Sequence, residues 1–173
     1  MIEYLPLVLT GLGLTASILY YSITIRNANR TRQAQLTMDI YSRWSSPEFK
    51  KYHQELMYRM KWDSPEEFLE TFLQPEKNEQ WLAYSVCCSF FEGIGVLVKR
   101  SMIDKYLVDD LISGEVISIW EKMAPTIFYL RETANYPTLY EYFEYLYNEI
   151  LPIFKKEHPE HIGKILPNNA NSR

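Results

Sequence analysis

Between Glu3 and Arg26 the chain runs for 22 residues, YLPLVLTGLGLTASILYYSITI, without one charged side chain. No other feature limits the fold as strongly, because about 20 apolar residues carry a helix across the hydrocarbon core of a bilayer. Tyr20 and Tyr21 stand near one end of the run, where amphipathic rings favour the membrane interface. A cleaved signal peptide wants a basic N-terminal region and a shorter apolar stretch. Here Glu3 precedes the run and no Lys or Arg does. The expectation is a transmembrane anchor over residues 4–25. Arg26, Arg30, Arg32 and Arg43 follow it, against the single acid Asp39. Positive charge stays on the cytoplasmic side, so the N-terminus is expected outside and the rest of the chain at the inner face of the cell membrane.

All 18 basic and 22 acidic side chains of the 173-residue chain lie outside this run, giving a net charge of -4. That mild acidity argues against a general nucleic-acid binder, which needs a basic footprint. Six glycines exclude collagen-like and glycine-rich disordered classes, and 14 tyrosines help to supply a packed core.

A second apolar run, WLAYSVCCSFFEGIGVLV at 81–98, competes as a membrane span. It carries Glu92 in its second half, and a central carboxylate costs about 2.5–3.5 kcal/mol on insertion. It also delivers Lys99 and Arg100 to the wrong side for the orientation above. A helix at the centre of a bundle is apolar all round for a simpler reason, and that is the expectation here.

Proline and capping residues mark the helix starts. Ser46-Pro47-Glu48 and Ser64-Pro65-Glu66 each place an N-cap hydroxyl before a first-turn proline and an acid. Ser64 with Glu67 and Thr138 with Glu141 fit capping boxes, and Pro75 and Asp104 open two further segments. Trp81, Tyr84, Cys88, Phe91, Gly95 and Val98 step by threes and fours, as do Leu139, Phe143, Leu146, Ile150 and Ile153. The spacing predicts an all-α fold, a single transmembrane helix followed by a compact cytoplasmic bundle. Its helices are expected at 4–43, 47–61, 65–73, 76–100, 105–112, 115–134 and 139–156, with Pro125 kinking the sixth. The domains are then the anchor 4–25, a helical domain 26–157, and a flexible tail 158–173.

Chemistry is thinly represented. Cys87 and Cys88 are adjacent, point about 100° apart on a helix, and cannot pair with each other without distortion; they read as core. His53, His158 and His161 read as surface decoration, because Pro159 interrupts the turn that would join the last two. No HExxH, CxxC or GxxxxGK[ST] pattern occurs, so no catalytic residue, metal or cofactor is nominated. Glu92 is the odd residue, a carboxylate following Phe90 and Phe91. If buried it needs a partner or a raised pKa, and the expected partner is an Arg, a Lys or a Tyr hydroxyl on a neighbouring helix. Two surfaces are candidates for contact with other molecules: the acidic stretch with Glu66, Glu67 and Glu70, and the aromatic last helix with Tyr140, Tyr142 and Tyr145.

The stretch FFEGIGVLVKRSMIDKYLVDDLISGEVISIWEKMAPTI (90–127) with YEYFEYLYNEI (140–150) resembles a broad prokaryotic family classed as a domain of unknown function. The matching positions are Phe91, Gly93, Leu97, Ile103, Asp104, Val108, Gly114, Trp120 and the Phe143, Glu144, Tyr147 helix. Arg32, Gln33, Ile40, Tyr41 and Trp44 extend the likeness behind the anchor. The resemblance implies an N-terminal membrane helix with a small helical domain, and it carries over no catalytic residue. Three function classes follow. The first is a membrane-tethered, non-catalytic interaction or accessory subunit, whose partners are the lipid bilayer and a membrane-proximal protein or a second copy of the chain. The second is a small-molecule or lipid binder with an aromatic-lined cavity near Glu92. The third is an enzyme of unrecognised type.

Overall fold

The structure, a computed structural model, describes residues 4–74 and 78–161. Every regular element among them is helical: α1 (Leu5–Ser45), α2 (Pro47–Gln54) running into a π-helical turn (Glu55–Arg59), α3 (Pro65–Phe72), α4 (Asn78–Lys99), α5 (Lys105–Thr133), α6 (Glu141–Glu157), and a final 3-10 turn (Pro159–His161). The expected opening at Pro75 and the tail 162–173 lie outside the described residues. The chain divides into two compact units between Leu36 and Thr37, inside α1.

The first unit is helical residues and little else. From Leu5 to Ile25 its large apolar side chains are 55–72% exposed. Four of its hydroxyls turn back on the helix itself: Thr10, Thr15, Ser17 and Thr24 each donate to the carbonyl four residues back, at 2.8–2.9 Å. Such bonds satisfy a hydroxyl without water.

The second unit is a helical bundle in which α6 packs against both α4 and α5, with α2 against α4 and α3 against α5. Local chemistry sets most of its helix ends. Ser46 accepts from Phe49 N, Ser64 from Glu67 N, and Asp104 from Tyr106 N, each in extended backbone. Glu67 completes its box one residue early, accepting from Asp63 N at 2.7 Å. The other expected box fails. α6 is capped by Tyr140 in the left-handed region, φ 53°, with no side-chain cap bond, while Thr138 supplies only its carbonyl to Glu141 N.

The two helices expected at 105–112 and 115–134 join into α5, and its backbone leaves helical angles at Ile112 (φ -146°, ψ 20°). The break therefore falls ahead of Gly114, at the expected division between 112 and 115, and Pro125 lies inside the second part of α5.

The core is aromatic at its centre. Phe91 stacks on Phe143 at 5.1 Å, Trp120 meets Phe143 edge-on at 5.0 Å, and Trp44 packs on Phe49 and Phe91. Ring pairs of this kind add to what area burial alone contributes. The close approach of α4 to α6 depends on Gly95: a Cβ built there would stand 1.9 Å from Tyr142 O. Gly93, two residues earlier, has nothing within 4 Å, so only one of the two glycines is needed for contact.

Candidate functional site

Two of the polar groups within the bundle reach from one helix to the backbone of another segment. The first is built on α4 around the residues singled out by sequence. Glu92 Oε2 accepts from Phe143 N at 2.7 Å and the carboxylate also accepts from Tyr142 N. The brace thus runs to backbone amides in the first turn of α6, and not to an Arg, a Lys or a Tyr hydroxyl. The reason is the fold of Tyr140: a left-handed N-cap without a side-chain acceptor leaves those amides open, and Glu92 fills the role from a different helix. A carboxylate there also meets the positive end of the helix dipole. Burial raises the Glu92 pKa above its ordinary value, while the two backbone amides hold it down.

One turn back on α4, Cys88 is fully buried, and burial drives its thiol well upward, helped by Cys87 and Glu92. Cys87 is pushed up to about 12 by burial. Both thiols stay protonated and are poor nucleophiles. Tyr84 and Tyr140 meet edge-on at 5.8 Å, and the Tyr140 hydroxyl bonds to those of Tyr84 and Ser89. Burial raises Tyr140 to about 12 and Tyr84 further.

The second group has no counterpart in the sequence reading. Lys122, on α5, donates to three carbonyls at the end of the α2 and π-helical segment: Leu56 O at 2.7 Å, Met60 O at 3.0 Å and Met57 O at 3.1 Å. Those carbonyls are the orphan acceptors that any helix C-terminus presents, and a cation there also answers the dipole. Its nitrogen stands 4.6 Å from the centre of the Trp62 ring. Burial, with Lys61 nearby, lowers its pKa to about 8. Beside it opens a cavity of about 420 Å³ lined by Met60, Trp62, Ser64, Lys122 and Pro125 among others. All three ammonium protons are directed at carbonyls, so Lys122 is a bracket between α5 and the 55–60 turn. A lone lysine at position 122 gives no local signal for this, because its acceptors lie 62–66 residues away.

The contact candidates separate. Glu66, Glu67 and Glu70 are exposed on α3. Tyr140, Tyr142 and Tyr145 are half-buried: Tyr140 leans on Tyr84, the Tyr142 backbone receives α4, and Lys99 Nζ lies 4.4 Å over the Tyr145 ring. Tyr147 of the same helix packs on Trp120 and bonds to Glu121. Much of the apparent surplus of rings in this helix is used inside the bundle. His53 and His158 are half-buried as well, so neither is mere decoration; His53 meets Trp44 edge-on at 5.1 Å. The His161 side chain lies outside the described residues.

Comparison with known proteins places the chain in a family. The family model described as a domain of unknown function (DUF4760) matches residues 7–150, and the chain belongs to that family. No curated protein and no solved structure matches the chain.

Proposed function

We propose that this DUF4760 member is a membrane-tethered helical protein that holds a partner at the cytoplasmic face of the membrane and does no chemistry of its own. The observation that carries the reading is the burial contrast between its two apolar helices. None of the apolar window of α1 is buried, against 44% of that of α4. Exposed leucines, isoleucines and valines over six helical turns need a non-aqueous partner, and the internally bonded hydroxyls of that segment suit a bilayer. The four arginines behind the run set the orientation.

The absence of chemistry rests on where the reactive groups go. Glu92 caps α6, Lys122 caps the 55–60 turn, and the two thiols are buried and protonated. Tethering raises the effective concentration of a membrane-bound partner, so a modest interface suffices. The exposed acids Glu66, Glu67 and Glu70 are the part of the surface best placed to steer a basic partner; the half-exposed faces of Tyr142 and Tyr145 come second. The test is crosslinking and mass spectrometry of gently extracted membranes, with wild type against the triple change of Glu66, Glu67 and Glu70 to Gln. A specific co-purifying protein, lost in the triple variant, supports the reading. Absence of any partner or oligomer in the wild type removes it.

One observation favours a second reading, a small-molecule binder. The cavity beside Trp62 and Lys122 is within the size range of ligand pockets. It lies at residues 60–65 with Lys122 and Pro125, which moves that reading away from Glu92. A small molecule carried through purification, and displaced by Trp62→Ala, identifies this case.

A further inference from the structure

The start of α5 and the end of α6 meet at a polar cluster that no local pattern announces. Asp109 stands in the second turn of α5, Glu157 is the last residue of α6, and His158 is its C-cap. One carboxylate oxygen of Asp109, one of Glu157 and a ring nitrogen of His158 all lie within 4.8 Å of one another. Asp109 is only 3% exposed, and its Oδ1 is buried without a hydrogen-bond partner among the described residues. Ser113 supplies the carboxylate's one hydroxyl contact.

For the protein alone the Asp109 carboxylate is only partly answered, by the Ser113 hydroxyl and the charge of His158, and its Oδ1 is left over. A buried carboxylate oxygen without a donor costs about 1–3 kcal/mol or more, and a second carboxylate beside it adds repulsion. The imidazole is held in place from two directions: His158 N donates to Phe154 O at 2.8 Å, and its ring packs on that of Phe154 at 5.1 Å. Two oxygens and one imidazole nitrogen, converging from two helices, lack only a cation between them.

We propose that Asp109, Glu157 and His158 bind one divalent transition-metal ion, zinc by preference. The donor set selects the class. Calcium and magnesium take oxygen ligands, whereas an imidazole joined to carboxylates suits zinc and its first-row neighbours. Zinc bonds of about 2.0–2.2 Å place tetrahedral ligand atoms roughly 3.3–3.5 Å apart, so the cluster needs only a small contraction. Three protein ligands leave a fourth position for water. The ion would tie the beginning of α5 to the end of α6, and the site is independent of the tethering proposed above.

The experiment uses tag-free, full-length protein in detergent micelles, first stripped with a chelator. Zinc is titrated calorimetrically and cobalt by visible absorption, with wild type beside Asp109→Asn, Glu157→Gln and His158→Ala. The expected result is one zinc per chain, weakened at least about tenfold by each change, since even outer-shell partners are worth that much. Cobalt bound to wild type should show ligand-field bands that His158→Ala abolishes. If Asp109→Asn fails to fold, the other two variants carry the test, because Glu157 is exposed and His158 only half-buried. Zinc uptake equal in wild type and variants, or no saturable uptake by wild type, overturns the proposal and leaves an ion pair of Asp109 with His158.

Discussion

Among the described residues two helices are long and apolar enough to cross a bilayer, and the structure treats them in opposite ways. The window in α1 buries nothing; the one in α4 is 44% buried, with Ala83, Cys87, Cys88 and Phe91 at 0% exposure. Hydropathy does not separate them. What does is the placement of polar and small residues. α1 from 5 to 25 has no charged side chain; Thr10, Thr15, Ser17 and Thr24 bond to its own carbonyls, and its glycines have open space around them. α4 has a carboxylate that needs donors from another helix and a glycine, Gly95, that another backbone occupies. An apolar helix with demands of that kind is built for protein neighbours; one without them is free to face lipid.

The comparison breaks most readily at Phe91. Replacing it by Ala in the full chain should cost about 3–5 kcal/mol of bundle stability, the usual range for a buried ring. Urea denaturation followed by tryptophan fluorescence reads this directly. A loss under about 1 kcal/mol would remove α4 from the core.

The mirror experiment on α1 is Leu14→Arg, at the middle of the charge-free run. A central arginine costs about 2.5–3.5 kcal/mol on insertion, so the protein should shift from the membrane to the soluble or aggregated fraction. Carbonate extraction measures the shift. The denaturation midpoint of whatever folded protein remains should match wild type, because Leu14 is 61% exposed and contributes nothing to the buried core.

Glu92 sharpens the comparison through pH. Its folded pKa is raised by burial above the ordinary 4.5. Its contribution to stability is therefore fully present below about pH 4.5 and declines as pH rises through the folded pKa. Glu92→Gln cannot ionise and removes that dependence. The variant should be less stable than wild type near pH 4 and close part of the gap by pH 7. A gap that stays constant across that window would mean that the amides of Tyr142 and Phe143 balance desolvation, and one that widens that they outweigh it.

The smallest effect separates the two glycines of α4. Gly93→Ala adds a methyl into open space and should stabilise by about 0.5–1 kcal/mol through helix propensity. Gly95→Ala must displace the Tyr142 carbonyl from 1.9 Å and should destabilise by at least about 1–3 kcal/mol. Thermal melts of the pair, run side by side, check the sign of each.

Much of the fold was legible because its determinants are local. Ser46, Ser64 and Asp104 cap helices within three residues of themselves, and the stripe from Trp81 to Val98 repeats every three or four. The lack of any charge from 4 to 25, against Glu92 within 81–98, marked the unburied run. The misreadings have the same explanation. Thr138 and Glu141 match a capping box in sequence, yet Tyr140 takes the cap position, with its ring packed against Tyr84. The rings of the last helix look surplus only while their partners, Trp120, Lys99 and Tyr84, are out of view.

Composition and spacing by themselves therefore determined the helices, most of their ends, and which apolar run would meet protein. Only the tertiary structure decided what the polar groups do. It set Glu92 on amides 51 residues away, Lys122 on carbonyls 62–66 residues away, and Asp109 beside Glu157 and His158. A sequence pattern reports on neighbours within about one helical turn. Charges and unpaired amides in a closed bundle must find partners wherever the packing brings them.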